Sequence, residues 1–132
     1  MSARPPRPFN EPIRSYAPGS GERAALQARL GELAADQIEM PLVIGGRDVG
    51  NGRTVPAVMP HRTEHVLGTV EWANPPELEQ AIAAAGAAWP DWSRLPWTER
   101  AAVFLRAADL LAGPWRDTLN AATMLGQSKT AH

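Results

Sequence analysis

The sequence predicts a mixed α/β fold: an extended arm, short β-hairpin strands and a run of amphipathic helices. Three observations carry that reading. Apolar residues recur at helical spacing in Leu26-Leu30-Leu33, in Leu78-Ile82-Ala85-Trp89 and from Trp97 to Trp115. Between the first and second of these rows lie short β-branched runs punctuated by Gly45-Gly46 and Gly50-Asn51-Gly52. The helical faces are also crowded with small residues, Ala81, Ala83, Ala84, Ala85, Ala87 and Ala88. Alanine favours helix and lets another backbone come close. Such a surface suits an outer layer packed on more protein.

Taken in order, residues 1–19 read as an extended, proline-rich arm, and 20–132 as the helices and strands of an incomplete domain. Ser20 is an N-cap for a helix that the pattern extends to Met40-Pro41, where the residue before proline is driven out of the helical region. Leu42-Val43-Ile44, a Gly45-Gly46 turn and Arg47-Asp48-Val49 form a hairpin, with a second turn at 50–52. Thr54–Met59 is a strand that Pro56 confines to an edge, and Val66–Trp72 alternates as a half-buried strand. Asn74-Pro75-Pro76-Glu77 opens a helix with a capping box, and Pro90 is expected to end it. Trp97, Ala101, Phe104, Ala108, Leu111 and Trp115 make a stripe expected to be buried against a neighbour. Gly113-Pro114 breaks this helix before a last one, Arg116–Leu125.

Composition narrows the function. A net charge of −1 offers no basic stripe for phosphates, so nucleic acid is not an expected partner. No apolar run reaches the ~20 residues of a membrane span. Arg4, Arg7 and Arg14 could suggest an organelle address, but Pro5, Pro6, Pro8 and Pro12 forbid the amphipathic helix it would need, so the expected location is cytoplasmic. There is no cysteine, which excludes a disulfide, a zinc–thiolate site and a thiolate nucleophile within these residues.

Several motifs are decoys. His61-Arg62-Thr63-Glu64-His65 has the H-x-x-E-H spacing of a zinc peptidase group, which requires both histidines on one helical face. Pro60 and the strand-like flanks make a turn instead. Gly126-Gln127-Ser128-Lys129-Thr130 lacks the glycines that converge backbone amides on a phosphate, and reads as the end of a helix. Trp89, Trp97 and Trp115 lie on apolar faces, so packing explains them better than base or sugar stacking, and Trp92 falls in a turn.

The order of elements resembles the aldehyde dehydrogenase superfamily, and the resemblance implies that family's α/β fold, of which these residues are the N-terminal arm, outer β-hairpin strands and first helices. Leu42-Val43-Ile44-Gly45-Gly46 resembles its L-F-I-N-G opening, and Met59-Pro60…Gly68-Thr69-Val70 its N-P-x-T-G-x-x-x-G-x-V stretch. Leu78–Ile82, Trp89-Pro90-Asp91-Trp92, and Thr98-Glu99-Arg100-Ala101 through Ala107–Leu111 follow in the family's sequence. Asn10-Glu11-Pro12, Tyr16, Gly19–Arg23, Phe104–Asp109 and Met124–Thr130 are similar to the 1-pyrroline-5-carboxylate dehydrogenase branch. The resemblance implies NAD as cofactor, a small aldehyde as substrate and, at full length, a homo-oligomer. It implies oxidation of L-glutamate 5-semialdehyde to L-glutamate in proline degradation. It also implies a cysteine nucleophile, a glutamate base, an oxyanion-binding asparagine and a dinucleotide-binding sheet.

None of those groups maps onto this chain, so no catalytic, cofactor-binding or metal-binding residue is assigned. The isolated chain is expected to be inactive and partly molten, because its apolar faces lack covering layers. Lys129-Thr130-Ala131-His132 carries no helix cap, which reads as part of a longer protein. The rival reading is a non-catalytic module that docks on a full-length dehydrogenase through the Trp97–Trp115 stripe.

Overall fold

In the computed structural model, residues 10–131 are described. The first nine residues of the expected arm, and His132, lie outside them. The elements run α1 Gly21–Ala35, β1 Ile38–Met40, β2 Leu42–Ile44, β3 Arg47–Val49, β4 Thr54–Met59, β5 Arg62–Glu71, α2 Pro75–Arg94, α3 Trp97–Ala112 and α4 Arg116–Gln127.

α1 begins as its sequence dictates. Ser20 Oγ accepts from the Arg23 backbone N–H at 3.4 Å, and Glu22 places a negative charge in the first turn. The helix is shorter than the pattern suggests. It closes at Ala35, and Ile38-Glu39-Met40, expected to be helical, forms a strand instead. The reason is non-local. Ile38, Glu39 and Met40 pair in parallel with Gly68, Thr69 and Val70, so tertiary pairing overrides helical periodicity.

Strands β1, β5 and β4 form one sheet in that order, with β4 antiparallel to β5 from Thr54 opposite Glu71 to Met59 opposite Arg62. Pro56 sits on the edge strand, where the missing donor costs least. β2 and β3 make a separate antiparallel ribbon turned by Gly45 and Gly46, both at positive φ (59° and 75°). Two successive left-handed residues are what a tight hairpin of this hand demands. Gly50-Asn51-Gly52 is not a second hairpin turn: among the described residues β3 pairs with β2 and β4 with β5, so this loop carries the chain from ribbon to sheet.

α2 runs through Pro90 to Arg94, so proline does not stop it and Trp92 is helical. Pro90 cannot donate to the carbonyl of Gly86, but that turn is exposed, where water can satisfy the freed group. Gly113 and Pro114 separate α3 from α4 as expected.

The main core lies where the arm, α1 and α4 meet. Tyr16, Leu26 and Ala121 are buried, with Leu30, Leu33, Met124 and Ala131 packed against them. Met59 is buried separately at the end of β4. Trp97, Phe104 and Leu111 of α3, and Trp115 just beyond it, are more than half exposed, because none of the described elements is the neighbour against which the stripe is expected to pack.

Candidate functional site

Three polar clusters organise the surface. The first joins the loop before β4 to the start of α2. The Glu71 carboxylate accepts from the backbone N–H groups of Asn51 and, at 2.6 Å, Gly52. Asn51 Nδ2 donates to Glu77 Oε2 at 2.8 Å, and the same oxygen accepts from the Asn74 backbone N–H at 2.8 Å. Asn74 Oδ1 accepts from Arg53 at 3.0 Å, and that guanidinium lies 5.8 Å from the centre of the Trp72 ring. Sequence reasoning placed Glu77 in its capping box but missed Glu71. The available signal was a loop of small residues with unpaired donors, which needs an acceptor nearby.

The hydrogen bond from the Asn74 backbone, then that from Asn51, hold the Glu77 carboxyl below its ordinary value of 4.5. A depressed folded-state value contributes stability above the unfolded value, and that contribution is lost as pH falls through the folded value. Urea midpoints of the wild type and Glu77→Gln should therefore differ near neutrality and converge as pH drops below 4.5. A gap that persists in acid would assign the effect to something other than the charge.

The second cluster pins the arm on α4. Arg14 Nη1 pairs with Asp117 Oδ1 at 2.9 Å, Arg116 Nη1 donates to the Pro12 carbonyl at 2.8 Å, and Asn120 Nδ2 donates to the Tyr16 hydroxyl at 2.9 Å. Tyr16 itself adopts φ 49°, an unusual conformation for a bulky residue. A cleft of about 520 Å³ opens here between the arm, α3 and α4. That is large enough for a small ligand. Its two guanidinium groups, however, are engaged by Asp117 and by the Pro12 carbonyl, and no nucleophile–base pair faces it among its lining residues.

The third cluster disposes of the two motif decoys. Pro60 and His61 form the turn between β4 and β5, while Arg62–His65 are strand. His61 Nδ1 shares a hydrogen bond of 2.9 Å with Ser128 Oγ, whereas His65 Nε2 donates to the Ala34 carbonyl at 2.8 Å. The two histidines thus face different elements. Gly126 and Gln127 belong to α4, and Ser128 is its left-handed cap at φ 54°. Among the described residues, no three His, Cys, Asp or Glu side chains gather as a metal set.

A dinucleotide needs a strand leading through glycines into a helix whose first amides are free. Three of the described helices do not open in that way. α1 follows the arm, α3 follows Pro96, and α2 opens with two prolines, which lack N–H groups, beneath the carboxylate of Glu77.

The combination of a hairpin ribbon, a three-stranded sheet and successive amphipathic helices has a recognised parent. The chain belongs to the aldehyde dehydrogenase family, whose model matches residues 48–132. Within it, the similarity is to delta-1-pyrroline-5-carboxylate dehydrogenases. The Agaricus bisporus protein of that name is 46% identical over 121 residues, covering 91% of this chain and 22% of the relative. The mitochondrial protein of that name from Mus musculus is 40% identical, covering 92% and 22%. A solved structure of the Mycobacterium tuberculosis enzyme superposes with a TM-score of 0.94 at 50% identity, over 99% of this chain and 24% of that one. Another structure of that enzyme, bound with NAD, gives 0.92. The chain therefore spans about a quarter of the length of the proteins it matches. No helix among the described residues is long and apolar enough to cross a membrane.

Proposed function

We propose that this chain supplies the N-terminal layer of an NAD-dependent dehydrogenase that oxidises L-glutamate 5-semialdehyde, the open form of 1-pyrroline-5-carboxylate, to L-glutamate in proline degradation. The observation that carries the reading is the 50% identity with a solved enzyme of that specificity over 99% of the chain. In the proposed division, residues 1–19 are an arm and 20–132 belong to the cofactor-binding domain, without contributing a catalytic or cofactor-binding residue. NAD would be held, and the aldehyde attacked, by the part of the enzyme outside these residues. That enzyme is proposed to act as a homo-oligomer in the cytoplasm.

The 132-residue chain alone should form no NADH from NAD and the semialdehyde, because it contains no cysteine to act as nucleophile. A chimera in which it replaces the matching quarter of the Mycobacterium tuberculosis enzyme should restore turnover. NADH production by the chain itself, or a folded chimera that refuses this substrate, would overturn the reading. A second reading is a non-catalytic module that docks on a full-length dehydrogenase; the exposed stripe on α3 favours it. Co-purification of the 132-residue chain with an intact dehydrogenase would support that alternative.

A further inference from the structure

An asparagine followed by glycine loses its side-chain amide readily, because a residue without a Cβ leaves its backbone nitrogen open to attack the asparagine Cγ. The sequence holds one such pair, Asn51-Gly52, in the loop between ribbon and sheet. Asn51 is half-buried there, and Gly52 is exposed at φ 77°. The reaction needs no partner but water. The Gly52 nitrogen gives up its proton and bonds to Asn51 Cγ, and the Cγ–Nδ2 bond breaks as Nδ2 takes up a proton and leaves as ammonia. Water then opens the cyclic imide at either carbonyl. The product is aspartate or, where the chain is rerouted through Cγ, isoaspartate. An amide and a water become a carboxylic acid and ammonia, with no change of oxidation state.

In the folded chain the reacting groups are all engaged. The Gly52 N–H donates to Glu71 at 2.6 Å, and a carboxylate there disfavours the amide anion that must attack. Asn51 Nδ2 is held by the Trp72 carbonyl at 3.0 Å and Glu77 Oε2 at 2.8 Å, while Oδ1 accepts from the Arg53 N–H at 2.9 Å. These partners fix the amide plane, and Cγ cannot swing onto the Gly52 nitrogen until they let go. Gly50 belongs to the same fit, since a Cβ on it would stand 3.2 Å from Glu71 Oε1. We propose that Asn51 is a site of spontaneous deamidation, and that Glu71 and Glu77 hold it closed, so that it converts only when this loop opens within the folded chain. The product cannot close again. Its new carboxylate has no hydrogen to give Glu77 or the Trp72 carbonyl, and it stands beside carboxylates already there. Conversion thus records an opening permanently and severs the tie between the loop and the start of α2. The inference is independent of any catalytic activity of the chain.

Incubating the 132-residue chain near neutral pH in heavy-oxygen water, natively and in urea, tests this. Peptide mass spectrometry reads conversion at Asn51 as the exchange of NH2 for labelled OH. Conversion should be about ten-fold slower in the native chain than in urea, which corresponds to about 1.4 kcal/mol of opening free energy. Glu77→Ala and Glu71→Gln should each raise the native rate several-fold. Gly86→Ala, at a helix position where a Cβ meets nothing within 4 Å, stabilises the fold as a whole and should leave the rate unchanged. Hydrogen exchange at the Gly52 amide of the wild type gives a readout that survives a carboxylate variant that fails to fold. It should be slowed by the same factor as conversion, since both wait for the same opening. Equal conversion in native and urea-unfolded chain, no conversion even in urea, or a native rate unmoved by both carboxylate variants when folded would overturn the proposal. A freely exchanging Gly52 amide beside an unconverted Asn51 would do the same. Slowing by Gly86→Ala would also overturn it, by assigning conversion to unfolding of the whole chain.

Discussion

Gly68→Ala is expected to detach β1 from the sheet and to cost about 3 kcal/mol, near the top of the range for overpacking. Gly68 lies opposite Ile38 in the parallel register, and a Cβ placed on it would run into the Ile38 carbonyl oxygen, with the Ile38 carbonyl carbon and nitrogen each only 2.9 Å away. These are backbone atoms of a paired strand, so no side chain can swing aside. The ordinary gain of replacing a strand glycine with alanine is about 0.5–1 kcal/mol, which the clash outweighs. Urea unfolding would give the loss, and amide exchange at Ile38–Met40 would localise it. Gly86→Ala is the matched control. A Cβ there meets nothing within 4 Å, and the position is helical, so the same change should stabilise by about 1 kcal/mol. Equal effects at the two sites would refute the steric account.

That same contact explains why part of the fold was hidden in the sequence. The Leu26-Leu30-Leu33 row would next return at Gln37, and nothing local stops the helix before Met40-Pro41, so the local pattern extends α1 through Ile38. Only the absent side chain of Gly68, thirty residues later, admits the strand. Where the deciding chemistry was local, the reading and the structure agree. Gly45-Gly46 supplies two positive φ angles, Asn74-Pro75-Pro76-Glu77 builds a helix start, and Pro56 selects an edge. Pro90 misled because its penalty depends on whether the freed carbonyl can meet water, which is a property of the surface rather than of the dipeptide. The polar clusters were legible only in halves. Glu77 announces itself by its spacing from Asn74, whereas Glu71 is read only once a strand has brought it under the Gly50-Asn51-Gly52 loop. Tyr16 is similar: its partner Asn120 is on the last helix, beyond the reach of any local pattern.

Leu26→Ala tests the other half of the molecule, and its cost should be about 3 kcal/mol, within the range for truncating a buried leucine. Leu26 is 4% exposed and belongs to a cluster that joins the arm, through Tyr16, to α1 and α4. Few other residues can share the load, since Tyr16, Met59 and Ala121 are the remaining buried hydrophobics among those described. A loss of that size is a large fraction of the stability of any small domain, typically about 5–15 kcal/mol. The urea midpoint should fall accordingly, and the arm's contacts at Tyr16 should loosen with it. Phe104→Ala removes a larger side chain yet should change the stability of the 132-residue chain by less than about 0.5 kcal/mol, because that ring is 68% exposed. The contrast is what discriminates. If Phe104→Ala proved as costly as Leu26→Ala in this chain, the face of α3 would already be covered, and the chain would close its own core on both sides.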